Sequence, residues 1–127
     1  MANIISGQGA TLIIDSSSTG AGSWYQTSPG MTNMSFQVSH YGTSTASVTG
    51  STVVIEVSND GVNACATVLG TIVITSASMS SPAAEGFATA SNWRYYRAKI
   101  NSVSAASAAA TGTTMAIKVF ASGQAIG

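Results

Sequence analysis

The stretch STVVIEVSNDG, residues 51–61, decides the fold class, because an apolar alternation there runs straight into a turn. Val53, Ile55 and Val57 share one face of an extended chain, while Val54 and Glu56 leave the opposite face mixed. The alternation ends at Ser58, and Asn59, Asp60 and Gly61 read as a tight hairpin turn whose Asp-Gly step supplies the positive φ that such a turn needs. Working outward, Thr67 to Thr75 reads as the returning strand. Gly70 lies inside it, and an isolated glycine there points to a bulge or a close backbone approach. Met34, Phe36 and Val38 alternate with Ser35, Gln37 and Ser39, the pattern of a half-buried strand. Trp93 to Val103 and Thr113 to Ala121 complete the clear strands, and Ala10 to Asp15 forms a short one.

Gly, Ser, Asn and Pro punctuate these strands at short intervals, which predicts an all-β antiparallel β-sandwich or barrel of about seven or eight strands in a single domain. His40 to Gly42 and Thr49 to Ser51 are weaker turn signals. Ser76 to Glu85, which contains Pro82, and the alanine-rich tract Ser104 to Gly112 read as loops. Ser16 to Gly22 reads as a flexible Ser/Gly stretch. Residues 1–9 are expected to form a flexible N-terminal arm and residues 10–127 the sandwich domain.

Composition then narrows the function. Only 4 basic and 4 acidic residues occur in 127, a charged fraction of 6% against roughly 25% for an ordinary soluble domain. Ala, Ser, Thr and Gly together supply 69 of the 127 residues, so small neutral side chains stand where Lys and Glu are usual. A surface of this kind, with zero net charge, lacks the self-repulsion that keeps copies apart. It predicts a protein that packs against copies of itself or a larger body, hence a homo-oligomer. The balanced charge predicts no nucleic-acid partner, since phosphate recognition needs a basic patch. No apolar run approaches the roughly 18 residues of a spanning helix, which predicts no membrane partner. Met1 to Ala10 lacks the basic and apolar regions of a secretory leader, so none is expected.

The residue types that carry chemistry are scarce. His40 is the only histidine and Cys65 the only cysteine, which predicts no disulfide, no transition-metal site and no Ser-His-acid catalysis. Asp15, Glu56, Asp60 and Glu85 offer no recognisable catalytic carboxylate pair. Asn59, Asp60 and Asn63 carry too little carboxylate for calcium. Gly7-Gln8-Gly9 lacks the rest of a dinucleotide fingerprint. The sequence therefore predicts a non-enzymatic protein without cofactor or metal. The aromatic groups carry more information: Trp24 with Tyr25, and Trp93 with Arg94, Tyr95, Tyr96 and Arg97. Arg beside aromatic rings is favoured at interfaces, which makes Trp24, Tyr25, Arg94, Tyr96 and Arg97 candidate assembly-interface residues. Arg94 and Arg97 have few acids in their own chain to pair with, so acceptors on a neighbour are expected. The rings of Trp24, Tyr25, Trp93 and Tyr95 also allow a carbohydrate-binding module as an alternative.

From Gly50 to Val119 the segments STVVIEVSNDG, VLGTIVIT, NWRYYRAKINSVS and TGTTMAIKV together resemble small structural proteins of tailed bacteriophages. In these an apolar strand ends in a Ser-Asn-Asp-Gly-like hairpin, and an aromatic-Arg strand precedes a Gly-Thr step into the last strand. The resemblance covers a little over half the chain, leaving the first 45 residues unmatched. It implies a non-enzymatic virion protein, often a jelly-roll-like sandwich and often oligomeric, without fixing its position in the virion. Taken with the single-domain size, the lack of a leader and the uncharged surface, it leads to the expectation of a capsid decoration or cement protein, assembled in the host cytoplasm, whose partner is the major capsid protein or another virion protein. A neck, tail or fibre subunit is the alternative within the same class.

Overall fold

The computed structural model of the chain describes residues 4–5, 9–16, 19–27, 31–42, 48–74, 84–91, 93–105 and 115–125. In chain order the strands are β1 (Ile4–Ile5), β2 (Ala10–Ser16), β3 (Gly20–Ala21), β4 (Tyr25–Thr27) and β5 (Met31–Gly42). They continue with β6 (Val48–Ser58), β7 (Gly70–Ile74), β8 (Ala84–Ala90), β9 (Tyr95–Ala105) and β10 (Met115–Ala125). One sheet has the order β1-β4-β9-β6-β7, with β3 also paired to β9; the other has the order β2-β10-β5-β8. All pairs are antiparallel except β1 with β4.

The pairing is nested. Strand β6 pairs β7, β5 pairs β8, β4 pairs β9 and β2 pairs β10, as if one long antiparallel hairpin closed at residues 59–69 had been rolled up. Successive pairs fall alternately into the two sheets, and this is the arrangement of a jelly roll. The expected sandwich is therefore present, with ten strands rather than seven or eight. The strands that the sequence did not single out are the short β1, β3 and β4, which hold too few residues to show a periodicity, and β8.

The inward positions of both sheets make the core. Val53, Ile55 and Val57 of β6 face Met34, Phe36 and Val38 of β5, and Tyr96, Ala98 and Ile100 of β9 join Ile117, Val119 and Ala121 of β10. Phe36 ties the layers together: its ring lies 5.5 Å from Phe87 of β8 in its own sheet and 5.5 Å from Tyr96 in the other. On this side of the sandwich β7 and β8 lie one above the other. A side chain at Gly70 would stand 2.5 Å from the Phe87 ring. Gly70 thus marks a close approach, with an aromatic ring as the approaching body.

Several local expectations are corrected. His40 to Gly42 and Thr49 to Ser51 are strand rather than turn, because β5 and β6 extend to match the 11 residues of β10 and β9. Gly50 sits at a register shift, with Val48 opposite Ala105 and Gly50 opposite Ser104. Ala84 and Glu85 begin β8, while residues 75–83, including Pro82, lie outside the described residues, as does most of the alanine-rich tract. Within the segment expected as a free arm, Ile5 is fully buried in the core.

Candidate interface and ligand-binding surface

Strand β9 lies at the centre of its sheet and sends Tyr96, Ala98 and Ile100 inward, so Tyr95, Arg97 and Lys99 point outward. Arg97 stands opposite Glu56 of β6, and its Nε donates to Glu56 Oε1 at 2.6 Å. The guanidinium lies 4.5 Å from the centroid of the Trp24 ring, close enough for a cation–π contact. Arg97, for which an acceptor on a neighbour was expected, finds one of the few acids of its own chain instead: a strand 41 residues away supplies Glu56 by register. One face of Trp24 is covered by the same contact.

Tyr96 is also corrected as an interface candidate. Its side chain is fully buried, with its hydroxyl 2.6 Å from Ser91 Oγ and accepting the Trp93 N–H at 3.1 Å. Burial pushes its phenol pKa above the ordinary value of 10.0. Tyr25 donates its hydroxyl to the Thr11 carbonyl at 2.8 Å, fastening β4 to β2 across the layers. Arg94 remains as an exposed candidate. Its backbone N–H donates to Asn59 Oδ1 at 3.2 Å, and its guanidinium has no partner among the described residues.

The turn at Asn59, Asp60 and Gly61 is present, but it opens an 11-residue connection between β6 and β7 in place of a tight hairpin. Ser58 Oγ donates to Asp60 Oδ1 at 2.7 Å and accepts the N–H groups of Asp60 and Gly61. Asp60 Oδ1 also accepts the N–H groups of Val62 and Asn63 at 2.9 Å each. These donors, the Asn63 amide first among them, hold the Asp60 carboxyl far below its ordinary pKa of 3.8. Gly61 has φ +71° and its α-carbon faces the Tyr95 ring, so both its backbone and its missing side chain are used. Cys65 is half-buried against the core. The side chain of His40 lies outside the described residues. Among the described residues, no group of three His, Cys, Asp or Glu could hold a metal ion, and no helix is long and apolar enough to cross a membrane.

The opposite sheet carries a second surface. Thr11 of β2, Phe120 of β10, Gln37 of β5 and Gly86 of β8 are direct register partners in one row across the sheet. Beside them run Ser122, Ser35 and Ala88. An open groove of about 750 Å³ lies along these rows. Ser35 Oγ and Ser122 Oγ are 2.7 Å apart in its floor, and Gln37 Nε2 donates to Ser39 Oγ at 2.9 Å. Phe120 is 36% exposed and is the only exposed aromatic among the residues whose side chains are described. None of these groove residues was singled out from the sequence as a site. Their signal was the polar half of the β5 alternation, which is also what any solvated strand face looks like. Compared with known protein families, curated proteins and solved structures, the chain matches none.

Proposed function

We propose that the chain is a non-enzymatic structural subunit of a tailed bacteriophage, a decoration protein that docks on the assembled capsid and reinforces it. The observation that carries this reading is how little charge remains available on an already sparsely charged chain. Arg97 and Glu56 neutralise each other and Asp60 is held by its own turn. An exterior dominated by Ser, Thr, Ala and Gln desolvates cheaply, because few ions, Arg94 and Glu85 among them, have to leave water. Contacts of that kind can be repeated over a symmetric shell without accumulating repulsion between neighbouring copies. Jelly-roll sandwiches recur as viral capsid domains, which makes the fold compatible with the reading without identifying it. The major capsid protein is the proposed partner, the virion the proposed location, and a homo-oligomer the proposed bound form.

Electron microscopy of the parent particle, combined with light scattering of the purified chain, tests this. Density for the jelly roll at symmetric sites on the head is expected. A strictly monomeric chain at high concentration, with no copy on the head, overturns the proposal.

A further inference from the structure

We propose that the groove across the β2-β10-β5-β8 sheet is a binding site for a neutral, polyhydroxylated ligand, an oligosaccharide chain. The inference stands on the groove itself and does not depend on where the protein is carried. Its lining combines one exposed ring with convergent uncharged polar groups: Phe120 flanked by Thr11, Gln37, Ser35 and Ser122. A sugar ring offers C–H groups on one face and hydroxyls around its edge, so it needs an aromatic platform bordered by groups that both donate and accept.

The serine pair has that property. A hydroxyl carries one donor and two acceptor positions, so the shared Ser35–Ser122 hydrogen bond leaves one O–H and several lone pairs for a ligand. Gln37 uses one N–H on Ser39, and its carbonyl oxygen has no partner among the described residues. The outward positions of β8 opposite this wall are Ala84, Gly86 and Ala88, too small to obstruct the channel. Four strands at ~4.8 Å spacing give a floor about 14 Å across, room for a short oligosaccharide. Glu85 is the one acid in the lining, which disfavours an anionic sugar. Lys118 Nζ lies 5.9 Å from the Phe120 ring centroid, at the outer limit of a cation–π contact, so the ring is not tightly capped as Trp24 is.

The carbohydrate site anticipated on Trp24, Tyr25, Trp93 and Tyr95 is thus relocated to the other sheet. Trp24 stacks against Arg97 and the Tyr25 hydroxyl is spent on Thr11.

An immobilised array of neutral and of sialylated or uronate-bearing oligosaccharides, probed with the full chain, tests the site. Retention on neutral glycans is expected, weakened tenfold or more by Phe120→Ala and by Gln37→Ala, retained in Phe120→Tyr and unchanged in Trp24→Ala. All variants are checked by thermal melts; Gln37 is exposed and bonded only to Ser39 of its own strand, so Gln37→Ala tests the groove even if Phe120→Ala, whose ring is 36% exposed, lowers the melting temperature. Absence of any neutral-glycan retention by the wild type, retention confined to charged glycans, or retention undiminished in Phe120→Ala overturns the proposal. Particle binding by the same variants is read separately, so loss of one property is distinguishable from loss of the other.

Discussion

Asp60 shows how much order one exposed side chain can impose when backbone donors surround it. Its carboxylate accepts from Ser58, Val62 and Asn63, and its pKa in the folded chain lies far below the ordinary 3.8. A depressed carboxylate pKa stabilises the fold above the unfolded pKa, and that stabilisation is lost as pH falls through the folded one. The melting temperature of the wild type should therefore exceed that of Asp60→Asn at neutral pH, and the gap should narrow progressively below about pH 4. Melts from neutral pH to about pH 2 check this; a gap constant across the range would show that the charge contributes nothing. At Tyr96 the relevant atom is a buried hydroxyl. Tyr96→Phe removes the acceptor of the Trp93 N–H and should cost roughly 1–3 kcal/mol in a denaturant melt, the cost of leaving a buried donor unsatisfied.

Strand β8 depends on a single residue for its place in the sheet. A Cβ at Gly86 would stand 2.2 Å from the Phe36 carbonyl oxygen, a backbone atom held in the middle of β5 and unable to give way. Gly86→Ala should therefore push β8 from β5 and cost about 1–3 kcal/mol, as overpacking does. Hydrogen exchange should locate the damage, with Ala84 to Ala90 losing protection while β6 and β9 keep theirs. Equal loss across both sheets would mean that β8 is not a separable edge. The same strand is poor in apolar residues because it closes an edge of the sandwich: Phe87 does the inward packing, and its neighbours are exposed.

At the scale of the whole molecule, few charges mean weak dependence on ionic strength. Raising salt from about 0.05 to 0.5 M shortens the screening length severalfold, which weakens association driven by opposite charges. If the neutral exterior is what associates, self-association or particle binding should change less than about threefold over that range. A fall of ten-fold or more, followed by light scattering or particle co-sedimentation, would place Arg94 or Lys99 at the contact instead. The nested pairing bears on folding order too: β6 and β7 form the innermost pair, closed by the Asp60 turn, so the contacts of lowest sequence separation include the chain's strongest alternation.

What the sequence determined by itself was whatever follows from neighbours along the chain. Period-two burial of Val53, Ile55 and Val57 and the positive φ at Gly61 are local consequences of side-chain alternation and a missing Cβ atom. Charge scarcity is likewise a sum over residues. Only the tertiary structure decided which strands became partners. Arg97 meets Glu56 because β9 lies beside β6, Phe87 reaches Gly70 because β8 lies over β7, and Thr11, Phe120, Gln37 and Gly86 form one row because four distant strands share a register. Strand pairing of this kind depends on contacts 40 to 110 residues apart, and side-chain alternation is the same whichever neighbour a strand acquires. For the same physical reason the aromatic clusters were legible as important residues, whereas the groove was not: its polar groups become a site only when register sets them around one ring.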